Sequence, residues 1–138
     1  LNTYVPDDNF EAYLETHDAS GNVVSVGDAN SMGDGIANND YVTTANISGV
    51  TYLYVENQNI ADLTGIEDFS ALTELDCYSN QLTSLDVTNN NSLTDFDCSS
   101  NQLTTLDVSN HSSLISHIII ITYCNINKST NQVKFDKK

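Results

Sequence analysis

LTELDCYSNQLTSLDVTNNNS, residues 72–92, runs directly into LTDFDCSSNQLTTLDVSNHSS, residues 93–113. The second stretch repeats the first at an offset of 21 residues, and the register never slips. Leu72, Leu75, Cys77, Leu82, Leu85 and Val87 form the apolar set of the first copy. Leu93, Phe96, Cys98, Leu103, Leu106 and Val108 form that of the second. In T-E-L-D-C and T-D-F-D-C apolar and polar residues alternate, the period of a strand with one dry face.

Self-similarity at a period of roughly 20–29 residues with L-x-x-L-x-C-x-x-N-x-L-x-x-L is the signature of a leucine-rich repeat coil. Each coil is a short strand, a tight turn and a return segment. One coil cannot bury its apolar side alone, so coils stack and share a core. The expected fold is an α/β solenoid: a short leucine-rich repeat coil with parallel strands on its concave face and a helical N-terminal cap. Asn80 and Asn101 fall where the strand must turn. Their amides can bond backbone groups of neighbouring coils, which buried turn backbone requires.

A looser coil precedes the pair. Leu53, Val55, Ile60 and Leu63 match Leu75, Cys77, Leu82 and Leu85 with a 22-residue shift. Gln58 stands in for the turn Asn, and Ile66, Phe69 and Leu72 close that coil. After Leu114 the pattern decays: Ile119 sits where Cys98 would, but His117, Thr122 and Cys124 replace Phe96, Asn101 and Leu103. Three coils and a degenerate fourth are expected.

The chain divides into an N-terminal cap (residues 1–49), coils (50–124) and a basic tail or C-terminal cover (125–138). Residues 3–16 are predicted as a helix, with Asp8 and Glu11 as a capping box and Phe10, Tyr13 and Leu14 on one apolar face. Covering the first coil would protect its open edge and core from water. Residues 18–40 are rich in Gly, Asn and Asp and read as loop. Residues 41–49 lead into the first strand, burying Ile47, with Val50 just after.

The 138 residues carry a net charge of -15, and no Lys or Arg occurs before Lys128. Such a body argues against nucleic acid and against anionic membranes. It favours cationic partners, divalent ions or plain solubility. No apolar run approaches the roughly 18–20 residues that cross a bilayer, so no membrane insertion is expected. Leu1 stands first, which suggests an export signal already removed. Cys77 and Cys98 share one inward column and read as small core residues. Cys124 either continues that column or is a free thiol. His17, His111 and His117 are scattered, and His117 reads as a core filler. No nucleophile elbow or metal-ligand spacing appears, and no enzyme is expected.

The order YVPDDNFEAYLE…MGDGIANNDYVTTANI, then VTYLYVENQNIADLTGIEDFSALTELDCYSNQLTSLDV, resembles the amino-terminal part of secreted leucine-rich repeat proteins of Bacteroidetes, especially marine flavobacteria. It is similar in plan to the internalin-like arrangement of a helical cap followed by coils. The resemblance covers about residues 3–113 and implies export and display at or near the cell surface. It supplies no catalytic residues.

Strand side chains that alternate with the core face the concave side. By register these are Tyr52, Tyr54 and Glu56; Glu74, Asp76 and Tyr78; Asp95, Asp97 and Ser99; then Ser116, Ile118 and Ile120. Asp76 should stand beside Asp97, and Glu74 beside Asp95. Two carboxylates about 5 Å apart repel by roughly 0.8 kcal/mol in bulk water and by several-fold more where water is scarce. A cation, a basic partner or solvation must compensate. The reading is a recognition surface for a protein or glycan, cationic or hydroxyl-rich, with a solvated strand face as the plain alternative. A structural spacer or piece of a larger surface adhesin is the other function class. Ile118 and Ile120 would form an apolar patch, covered by the tail or by a second molecule. Asp28, Asn30, Asp34, Asn38 and Asp40 lie in a loop that resembles part of an EF-hand or dockerin calcium loop. Met32 occupies a ligand position there and the twelfth-position acid is missing, so calcium stands beside a simple Asn/Asp/Gly turn.

Overall fold

Pro6 stands between the extended start of the chain and its first helix. Its ring disfavours helical backbone at the residue before it, so the chain stays extended up to that point. The computed structural model of the protein describes residues 1–117, 124–127 and 132–135. Strand β1 covers Asn2–Tyr4 and helix α1 covers Asp8–Thr16. The helix expected over residues 3–16 therefore starts at Asp8. Asp7 caps it, its Oδ1 accepting the N–H groups of Asn9 and Phe10, each at 3.0 Å. The capping box assigned to Asp8 and Glu11 does not form. Glu11 turns inward, and its carboxylate accepts the N–H groups of Asn39 (3.0 Å) and Asp40 (3.1 Å).

β1 pairs antiparallel with β2, Tyr41–Thr43, and the short helix α2, Thr44–Ile47, follows. Phe10 of α1 stacks on Phe69 with centroids 6.3 Å apart. Asp7 Oδ2 accepts the N–H groups of Ala61 and Asp62. These contacts bring α1 against the first coil.

Strands β3 (Tyr52–Tyr54), β4 (Glu74–Asp76) and β5 (Asp95–Asp97) form a parallel sheet in that order. Leu53, Leu75 and Phe96 lie in one row, as the 21- and 22-residue spacings require. The inward sets of the three coils are buried, apart from Leu85 and Phe96, which are partly so and pack on the same cluster. Burying one Leu or Ile of this kind stabilises by roughly 1.5–3 kcal/mol.

Polar side chains tie coil to coil. Ser79 (φ 55°) and Ser100 (φ 54°) turn the chain through left-handed backbone after the strands. Behind the first turn, Asn80 Oδ1 accepts from the N–H groups of Gln58 (3.1 Å) and Ile60 (3.0 Å). Its Nδ2 donates to the carbonyls of Val55 (2.7 Å) and Cys77 (3.0 Å). Asn101 repeats the pattern on Leu82, Cys77 and Cys98. A second polar column was not anticipated. Asn90 and His111 are buried in the return segments. Asn90 Nδ2 donates to the carbonyls of Ile66 and Phe69, and His111 Nε2 donates to that of Asn90.

The end of the repeat departs from expectation. Ser112–His117 is a helix, α3, so Ser116 and His117 do not begin a fourth strand of the face. Ile118–Ile121, with the patch assigned to Ile118 and Ile120, lies outside the described residues. β6 (Thr105–Asp107), β7 (Cys124–Asn127) and β8 (Gln132–Phe135) form an antiparallel sheet in the order β6-β8-β7. Leu106 is opposite Val133. Residues 132–135 thus pair with a strand of the last coil. Cys124 lies in β7 of this sheet, paired with Phe135.

Candidate binding face

The parallel register sets the site. Tyr52, Glu74 and Asp95 form one outward row, and Tyr54, Asp76 and Asp97 the next. Beyond the strands, the N–H of Asn57 donates to the carbonyl of Tyr78, and that of Ser79 to the carbonyl of Ser99. Those bonds keep Glu56, Tyr78 and Ser99 in step as a third row. Nine of the twelve residues read onto the concave face thus lie in three rows across β3, β4 and β5; Ser116 is in α3, and Ile118 and Ile120 lie outside the described residues.

Tyr52, Tyr54 and Tyr78 are 38%, 47% and 40% exposed, far more than the buried Tyr13. The Tyr52 and Tyr54 rings lie side by side, centroids 5.7 Å apart and 27° between planes. The Tyr54 hydroxyl donates to Glu74 Oε2 at 2.6 Å. That bond to a carboxylate, with further acids nearby, pushes the phenol up to about 12. Asp76 is half-buried. Burial raises its carboxyl above the usual range; the N–H of Tyr78 opposes this, and the charges of Asp97, Glu56 and Asp95 reinforce it. Asp97 Oδ1 accepts from the N–H (2.8 Å) and hydroxyl (2.6 Å) of Ser99. At the margin nearest α1, burial raises the Tyr13 hydroxyl, with Glu56 adding to the effect. No Lys or Arg precedes Lys128, and hydrogen bonds from Tyr54, Tyr78 and Ser99 answer Glu74, Asp76 and Asp97.

The loop read for calcium is organised by turns. Asp28 Oδ1 accepts from the backbone and side-chain N–H of Asn30. Asp34 Oδ1 accepts from the N–H of Ile36, and Oδ2 from Asn39 Nδ2. Asn38 and Asp40 are left-handed, at φ 57° and 63°. The acid that reaches this loop from outside is Glu15, which sequence reading missed. It is buried, and its carboxylate accepts the N–H groups of Asp34 (2.6 Å) and Gly35 (3.1 Å). Burial raises its carboxyl; the two N–H groups oppose that, and Asp34 adds to it. Glu11 and Glu15 sit at i and i+4 on the helix face that carries Leu14, but nothing in that spacing names the backbone N–H groups they meet. Among the described residues, no three His, Cys, Asp or Glu side chains are grouped to hold a metal.

Two features lie off the concave face. A groove of about 400 Å³ runs between return segments, lined by Asp62, Glu67, Leu85 and Asp86 among others. Asp62 and Asp86 each fold a turn, Oδ1 accepting from the N–H and hydroxyl of Thr64 or Thr88. In the core, Cys77 and Cys98 are buried in adjacent coils, and burial pushes the Cys77 thiol well up, away from reactivity. His17 stacks on Tyr13, centroids 3.9 Å apart, and His111 is a core rung; neither reaches the face.

The architecture is similar to that of internalin leucine-rich repeat proteins. The functional domain of InlJ from Listeria monocytogenes, which includes a cysteine ladder, superposes with a TM-score of 0.62 at 31% identity. That match covers 82% of this chain and 22% of the other. Internalin J of the same species is 39% identical over 51 residues, 37% of this chain and 6% of that protein. Internalin C2 of Listeria monocytogenes shares the fold, with a TM-score of 0.54 at 23% identity over 83% of this chain and 46% of that one. No protein-family model matches the chain. The chain spans only a small part of internalin J. Cys77 and Cys98 are buried in adjacent coils of this chain. Among the described residues no helix is long and apolar enough to cross a membrane.

Proposed function

We propose that this chain is an exported, non-enzymatic recognition module that binds a protein or glycan through the face of β3, β4 and β5. The N-terminal segment around α1 serves as its cap, in the manner of the secreted flavobacterial proteins it resembles. The observation that carries the reading is the pairing of exposed, stacked Tyr52 and Tyr54 with rows of carboxylates on a stretch of chain that holds no Lys or Arg before Lys128. Aromatic rings supply rigid contact area with a polar tip. Like charges on adjacent strands are unfavourable for folding alone, so a surface that retains them is better suited to a ligand. Likeness to internalin J supports a surface-displayed binding role.

A peptide and glycan array is the direct test. Ligands that bind the wild type are expected to be lost on Asp76→Ala/Asp97→Ala, with the folded far-UV circular dichroism spectrum retained. Binding that survives the double substitution would remove the face from the proposal. The second reading, a spacer in a longer surface protein, is favoured by the coil-to-coil bonding of Asn80 and Asn101. It predicts an array without hits. The same spacer, if calcium-stabilised, would melt higher with millimolar calcium; no shift would discard that part.

A further inference from the structure

We infer that the β3–β4–β5 face docks an extended, arginine-bearing segment of a partner protein. This rests on the binding reading above and narrows its ligand from protein or glycan to a basic peptide. Glu56, Glu74, Asp76, Asp95 and Asp97 share the surface. Adjacent coils hold their strands about 4.8 Å apart, so Glu74 over Asp95 and Asp76 over Asp97 present carboxylate pairs at close spacing. Asp76 is also half-buried among the others, where water screens poorly. Exposed rings flank these acids, Tyr52 and Tyr54 on the first strand and Tyr78 just past the second.

A guanidinium fits both parts of that surface. It is planar and stacks on a tyrosine ring, and its forked donors match carboxylates. The bond from the Tyr54 hydroxyl to Glu74 holds both groups in place before a ligand arrives, which lowers the ordering cost of binding. A neutral sugar could stack on the rings but would leave the carboxylate repulsion unrelieved. An acidic partner would be repelled. A peptide lying extended offers every second side chain to the same side, so one segment can present several arginines.

The test is calorimetric titration of the full chain with an octapeptide of alternating Arg and Ser, with backbone amide shifts read by NMR. The peptide is expected to bind and to shift the amides of Glu74, Asp76, Tyr78 and Asp97. Asp76→Asn/Asp97→Asn is expected to weaken it by at least about tenfold. Asp62→Asn/Asp86→Asn removes the same charge from the back of the coil and keeps the turn acceptors; affinity within about twofold of wild type is expected. Equal losses from the two double variants would mean attraction to the overall charge of -15, and the inference fails. A neutral hexasaccharide that shifts the same amides while the Arg peptide does not would overturn the inference and leave the binding reading intact. Neither probe touching the face would count against both.

Discussion

Asn80→Ala is expected to lower the unfolding free energy by roughly 3–5 kcal/mol, close to the largest loss a single substitution produces. The side chain answers two N–H groups, of Gln58 and Ile60, and two carbonyls, of Val55 and Cys77. All four are backbone groups in or beside the core. Each left unpaired away from water costs about 1–3 kcal/mol, and partial relaxation recovers some of the sum. Total stabilities of about 5–15 kcal/mol are usual, so the variant should be marginal. Urea unfolding followed by circular dichroism reads the effect. Gln81→Ala, exposed beside it, is expected to stay within about 0.5 kcal/mol of wild type. A loss under about 1 kcal/mol for Asn80→Ala would mean that the turn amide is not what joins the coils.

Gly33→Ala carries the second large effect. A Cβ on Gly33 would fall onto the carboxylate of Glu15, which must move off the N–H groups of Asp34 and Gly35. A destabilisation of about 2–4 kcal/mol is expected, from a displaced buried carboxylate and two unpaired donors. Amide exchange should rise over residues 31–40 while the β3–β5 sheet stays protected. Unchanged exchange in that loop would show that Glu15 does not anchor it. The pH dependence gives an independent check with Glu15→Gln. A carboxyl raised above its unfolded value stabilises the fold fully below about 4.5 and loses that contribution as pH climbs through the raised value. Wild type minus Glu15→Gln should therefore be most favourable in acid and decline toward neutrality. A difference that grows with pH would reverse the assigned direction.

The repeat was legible because it is a periodic property. An inward column needs an apolar residue every 21 or 22 positions, and Leu53, Leu75 and Phe96 satisfy that whatever lies around them. The turn amides were legible for the same reason, since a buried turn without an internal donor and acceptor cannot repeat. Asp7 as the helix cap was missed because Asp7 and Asp8 both qualify by type, and the Ala61 and Asp62 N–H groups that also hold the Asp7 carboxylate come near it only in the fold. Glu15 was missed because its partners are backbone N–H groups about twenty positions away, which have no residue signature.

The chain of amino acids alone settled the stacked coil, its core column and which side chains face outward, because alternation within a strand and recurrence between coils are local rules. The folded structure decided that Glu11 and Glu15 turn inward to hold the loop, that Tyr54 is tied to Glu74, and that Ser116 and His117 leave the sheet for a helix. Those outcomes depend on which backbone donors and acceptors three-dimensional packing leaves unanswered, and periodicity carries no record of that.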